Sequence, residues 1–115
     1  MTHNELMAML AGAEIPVAYD RYAEGESPDP PFICFRYPRS NNFSADGCVY
    51  YKITEADVEL YTDLKDPELE ERVENILDAY GIFYDKSEVW IESERLYEVL
   101  YSFEIGGNAN ATKEE

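Results

Sequence analysis

Few side chains in this sequence are suited to nucleophilic or metal chemistry. The chain has one histidine, His3, and two cysteines, Cys34 and Cys48. A nucleophile activated by histidine would have to recruit His3 from the first turn of a predicted helix. Both cysteines fall in strand-like segments, which is typical of reduced core thiols, with a cross-strand disulfide as the alternative. Because the sequence also lacks a glycine-rich phosphate loop, a nucleophile elbow and a calcium loop, we predict no cofactor and no metal site.

Carboxylates are the one reactive group present in large number. Residues 55–78 contain ten acidic and two basic residues, a net charge of −8. General acid–base catalysis needs a few carboxylates with shifted pKa values in a cleft. A run this dense is instead typical of a solvated face, so we predict that the protein is not an enzyme.

The composition disfavours further classes of function. The chain of 115 residues has a net charge of −16 and ten tyrosines. That charge disfavours tight binding to nucleic acid or to an anionic membrane, both of which need Lys and Arg. No apolar run is long enough for a membrane span and no signal peptide is visible, so a cytosolic protein is expected. We predict one domain over residues 1–105 and a disordered acidic and polar tail over 106–115.

The element that the rest of the chain must be arranged around is a helix near residues 67–80. Asp66 can cap its N-terminus, Pro67 suits the first helical position, and Gly81 can adopt the left-handed conformation just past its end. The predicted apolar stripe, which must lie on a sheet, consists of Leu69, Val73, Ile76, Leu77 and Tyr80. The predicted acidic face opposite that stripe consists of Glu70, Glu71, Glu74 and Asp78.

The remaining segments supply a second helix and the strands of a sheet. Thr2 and Glu5 have capping-box spacing before a short amphipathic helix. Strand-like segments occupy residues 15–19, 32–37, 48–62, 82–91 and 96–105, and the first of these contains a proline that favours an edge position. The predicted fold is therefore α+β: a mostly antiparallel sheet of four to five strands with two helices packed on one face, in the order α-β-β-β-α-β-β.

Two features of the strand region bear on assembly. Residues 39–47 form a loop longer than most hairpin loops, with Arg39, Asn41, Asn42 and Phe43 as candidate assembly residues. The apolar alternation over residues 48–62 changes phase, which predicts a bulge or kink near residues 54–55, with a tight hairpin at 54–57 as the alternative. Ten tyrosines also exceed what one small core requires, so we expect a homo-oligomer.

Three stretches, EGESPDPPFICFRYP, GCVYYKI and VELYTDLKDPELEERVENIL, resemble small proteins of tailed bacteriophages and prophages of Gram-positive bacteria. The group is similar to the tail-completion, or tail-terminator, proteins of long-tailed phages. The resemblance covers about residues 15–103 and includes no catalytic or ligand motif.

The resemblance implies a small α+β domain that forms a ring, commonly of six copies, at the head–tail junction or the tail end. The implied partners are tail-tube and head-connector proteins, and the implied location is the host cytoplasm during assembly and then the virion. DNA would pass through the ring without binding tightly. The candidate lumen surface is the acidic face of Glu70, Glu71, Glu74 and Asp78, with the solvent outside the ring as the alternative position of this face. The alternative function is an acidic DNA mimic or an adaptor that binds a basic partner.

Overall fold

The chain folds as a five-stranded sheet with two helices. The computed structural model describes residues 1–23, 25–45 and 48–106, and for 43–45 and 48–51 it describes the backbone alone. The elements are α1 (His3–Ala11), β1 (Val17–Tyr19), β2 (Phe32–Arg36), β3 (Phe43–Ala45), β4 (Cys48–Tyr51), β5 (Ile53–Thr62), α2 (Pro67–Ala79), β6 (Asp85–Ile91) and β7 (Leu96–Gly106). The large sheet has the order β1-β2-β5-β7-β6, and only β1 and β2 pair in parallel. The α+β class and the predicted element order are confirmed.

The core lies between the two helices and one face of the sheet. The central strand β5 contributes Ala56, Val58 and Leu60, which are all fully buried. The other core residues are Leu6, Met9, Leu10, Ala13, Ile33, Phe35, Leu69, Val73, Leu77, Val99, Tyr101 and Phe103. Because side chains of a strand alternate between its faces, the residues between them in β5 lie on the opposite face, which we call the outer face.

The helix ends follow the signals in the sequence. The backbone N–H of Glu5 donates to Thr2 Oγ1 at 3.1 Å while the Glu5 carboxylate accepts from the Thr2 backbone at 2.7 Å, completing the capping box. At α2 the backbone N–H of Leu69 donates to Asp66 Oδ1 at 3.2 Å. Tyr80 is a correction: it caps the C-terminus of α2 and is 54% exposed, so it does not belong to the apolar stripe.

Residues 48–62, predicted as one bent strand, form two strands with a break at Lys52. Strand β4 ends at Tyr51 and β5 begins at Ile53, and the two belong to different sheets. The pairing of β5 with β7 then runs without a register shift from Ile53 to Thr62, so neither the kink near 54–55 nor the hairpin at 54–57 is present. Ile53 shares the sequence phase of Tyr51 but lies in β5, so the break at Lys52 does not coincide with the change of phase.

The predicted C-terminal boundary of the domain lies at the end of the described residues. Strand β7 includes Gly106, one residue beyond the predicted domain boundary. The rest of the predicted disordered tail, residues 107–115, lies outside the described residues.

The Asp66 cap can be tested by substitution. Asp66→Ala should lower the free energy of unfolding by about 1 kcal/mol, because the Leu69 N–H loses its acceptor. Urea denaturation at pH 7 measures this change. Asp63→Ala removes the same charge from an exposed site just before the helix and should change stability by less than about 0.5 kcal/mol. Equal effects of the two substitutions would contradict a capping role.

Candidate assembly surface

The predicted acidic face of α2 is divided between two environments. Glu70 is only 4% exposed, and its carboxylate accepts from Lys65 Nζ at 2.6 Å and Lys86 Nζ at 3.0 Å. Glu74 is half-buried and accepts from Lys86 Nζ and the Tyr101 hydroxyl. Glu71 and Asp78 are exposed. The prediction that all four residues form one exposed face was therefore wrong.

The position of Glu70 follows from helix geometry. Each residue of an α-helix advances by about 100°, which places Glu70 beside Leu77 at the border of the apolar stripe rather than opposite it. Burial raises the pKa of Glu70, but the ammonium groups of Lys65 and Lys86 outweigh burial and hold it below its usual value of 4.5. The carboxylate stays charged because two cations face it.

These ion pairs join α2 to strand β6. Lys86 lies on β6 and contacts both helix carboxylates, Glu70 and Glu74. Lys65, just before α2, pairs with Glu70 and with Glu88 of β6. Two ion pairs of Lys86 therefore join β6 to the helix, and a third, between Lys65 and Glu88, joins β6 to the segment just before the helix.

Strand β6 forms one edge of the large sheet. It pairs with β7 over Asp85 to Ile91, and no other strand of the described chain pairs with its far side. Six of its seven residues are exposed, and Val89 and Trp90 are 52% and 39% exposed. The opposite edge is β1, which has only three residues. The longer free edge is thus β6, with apolar side chains beside unpaired backbone groups.

The candidate loop residues lie against the first residues of β5. Arg39 pairs with Glu55 at 3.0 Å, Asn41 Nδ2 donates to Glu104 at 2.8 Å, and Asn42 Oδ1 accepts from the Ile53 N–H at 3.2 Å. All three residues are exposed. The side chain of Phe43 and residues 46–47 lie outside the described part of the molecule. The structure therefore gives Arg39, Asn41 and Asn42 an anchoring position, and their role in assembly stays a prediction.

These anchors precede a second, smaller sheet. Strands β3 and β4 pair antiparallel, with Ala45 opposite Cys48 and Phe43 opposite Tyr51. We call these two strands the ribbon. Sequence analysis placed a loop over β3, because a three-residue strand gives too short an alternation to detect, and it joined β4 to β5 in one long strand.

The outer face carries a charged cluster that sequence analysis missed. Glu59, only 3% exposed, pairs with Arg36 and accepts from the Tyr61 hydroxyl at 3.0 Å. The same hydroxyl lies 3.4 Å from Glu98 Oε2. Burial and the nearby Glu59 carboxylate raise the pKa of Glu98. The alternation of β5 and β7 could have placed these residues on one face, but their register depends on long-range pairing.

The cluster also contains a thiol. Cys34 is 4% exposed, and burial followed by the Glu59 charge raises its pKa, so the protonated thiol is favoured. A shallow hollow of about 230 Å³ beside it is lined in part by Tyr22, Phe32 and Leu96. The Arg36 guanidinium and the Tyr61 hydroxyl already satisfy Glu59, and the raised pKa of Cys34 disfavours the thiolate, which is the nucleophilic form.

No protein-family model matches this chain. No curated protein matches it either.

Neither helix in residues 1–23, 25–45 and 48–106 has the length and apolar character needed to cross a membrane. Among the side chains that the structure describes, in residues 1–23, 25–42 and 52–106, no group of three or more His, Cys, Asp or Glu could hold a metal ion.

The Glu70 ion pairs make a pH-dependent contribution to stability. The pKa of Glu70 is lowered on folding, so its contribution is fully present above pH 4.5 and is lost as pH falls through the lowered value. Glu70→Gln should destabilise the protein by about 1–2 kcal/mol at pH 7, because two lysines lose a buried partner. The difference from wild type should shrink below pH 4.5, measured by urea denaturation across pH. The control Glu71→Gln, on the exposed side of α2, should show neither effect.

For Glu98 we predict an effect on the pH dependence of stability that is opposite in sign to the effect of Glu70. Its pKa is raised on folding, so the ionised carboxylate destabilises the folded state above that raised value. Glu98→Gln should stabilise the protein at pH 7 by less than about 1 kcal/mol, because the site is partly solvated. The gain should disappear as pH falls toward 4.5, whereas Glu94→Gln in the exposed β6–β7 turn should have no effect. A loss of stability in Glu98→Gln at pH 7 would contradict the assignment.

Proposed function

We propose that this chain is a non-enzymatic structural subunit that assembles into a ring at the head–tail junction or tail end of a long-tailed phage. The observation that carries the proposal is the free edge of β6, supported on its inner side by ion pairs to α2. The phage context comes from the sequence resemblance, and the described geometry supports the assembly part of the proposal.

A free edge of this kind favours association with another strand. Proteins usually protect an edge with proline, a bulge, a short strand, charged side chains or a covering helix or loop. Strand β6 has seven residues and no proline, and its pairing with β7 has no register shift. Its one lysine, Lys86, contacts Glu70 and Glu74 toward the helix. Covering this edge with another subunit would pair its backbone groups and bury Val89.

The charge distribution fits a ring through which DNA moves. Acidic residues remain exposed on both layers: Glu71 and Asp78 on α2, and Glu104 on the outer face. An acidic wall repels phosphate and lets DNA slide past. Either layer could line the lumen, whereas the β6 edge carries a net charge of only −1 over residues 85–91 and suits a contact between copies.

An acidic surface for a basic partner is the second candidate. Its supporting observation is the set of outer-face carboxylates on β5 and β7, which includes Glu55, Asp57, Glu98 and Glu104. Salt-sensitive capture of a basic protein would favour this function over ring assembly.

The proposal predicts a concentration-dependent oligomer that requires the β6 edge. Size-exclusion chromatography with light scattering should show wild-type assemblies, and negative-stain images should show rings. Val89→Lys places a charge on the exposed edge and should weaken association by at least about tenfold, or about 1.4 kcal/mol.

The matched control is Asn75→Lys, which makes the same change in charge on an exposed position of α2. It should leave the assembly unchanged. A wild-type protein that stays monomeric at every concentration would count against the proposed function.

A further inference from the structure

The ribbon β3–β4 is an unusual element for a small domain. Its strands pair with each other and belong to a separate two-stranded sheet, and no third strand joins them in the described chain. A two-stranded hairpin is marginally stable in water, and stability normally requires a third strand or a packed face. Pairing with a further strand would therefore add to the stability of the ribbon.

Its sequence indicates what kind of surface it fits. The strands read FSA and CVYY and contain no charged residue, although the whole chain has a net charge of −16. An aromatic and β-branched strand is suited to pairing in a sheet. A partner surface for it should be a strand edge with little net charge.

Among the strand edges of the described residues, the β6 edge meets those requirements. It is the long free edge of the sheet, its net charge is −1, and it exposes Val89 and Trp90. Contact between the uncharged ribbon and this edge would keep the acidic faces of two copies out of the interface. The low charge of both surfaces thus favours a second copy of the same acidic chain as the partner.

The ribbon is attached to strand β5 at both of its ends, which suits an arm that reaches a neighbouring copy. The segment before it bonds to β5, through the Asn41 N–H to the Ile53 carbonyl at 2.7 Å and the Glu55 N–H to the Arg39 carbonyl at 2.9 Å. Lys52 connects its other end directly to β5. Both ends are therefore fixed at the central strand of the sheet.

We propose that the ribbon of one copy adds to the β6 edge of the next copy and extends the large sheet across the subunit boundary. The proposal rests on the proposed ring function and identifies the contact that builds the ring. Because the arm and the edge are different parts of the chain, the contact is head-to-tail, and its repetition can close a ring. Main-chain hydrogen bonds would supply affinity in this mode of recognition.

A mixing experiment tests the head-to-tail contact. One variant replaces residues 43–51 with a short Gly-Ser linker and keeps the β6 edge, and the other is Val89→Lys, which keeps the ribbon. Each variant alone should be monomeric by native mass spectrometry. Their mixture should give a 1:1 heterodimer that grows no further, because it contains one intact ribbon and one intact edge.

Several outcomes separate the two proposals. If wild type assembles and the mixture stays monomeric, or if either variant assembles like wild type, the ribbon–edge contact is wrong while the ring function survives. If wild type itself does not assemble, the ring function fails. Circular dichroism checks that the linker variant is folded, and Val49→Lys replaces it in the mixture if it is not.

Discussion

The structure depends on strand β5 being paired on both sides while its two faces meet opposite environments. It pairs with β7 over ten residues and with β2 over five, so its backbone bonds are made inside the sheet. One face packs Ala56, Val58 and Leu60 under the helices. The other face buries Glu59, which a chain of net charge −16 can tolerate because Arg36 and Tyr61 satisfy the carboxylate. Ion pairs thus serve here to hold acidic residues within a packed sheet.

The same principle supports the edge strand. Lys65 and Lys86 place positive charge between α2 and β6, where Glu70, Glu74 and Glu88 converge. Few bases remain for the exposed surface, since the chain has nine Lys and Arg against 25 Asp and Glu. An acidic exterior and a supported, unpaired edge therefore arise from one distribution of charge. The proposed ring subunit, which would repel phosphate and join to its own copies, needs both properties.

Local signals in the sequence were sufficient for the helix ends, the alternation of β7 and the α+β class. They were insufficient where a partner comes from far along the chain. The local sequence predicts Glu70 as a surface residue, because its contact with Lys86 of β6 depends on the fold. The cluster of Arg36, Glu59 and Glu98 joins three strands whose register no local pattern specifies. Strand β3 was missed because three residues are too few to show a period, and β4 was predicted as the start of one long strand with β5.

Hydrogen–deuterium exchange on assembled protein tests the central claim, that copies join through the sheet edge. Compared with the monomeric Val89→Lys variant, wild-type assemblies should show slowed exchange in residues 85–91 and 43–51, because outward amides gain partners. Residues 67–79 should exchange equally in both, since α2 stays outside the contact. Protection confined to α2, with residues 85–91 unchanged in an assembled ring, would contradict the account.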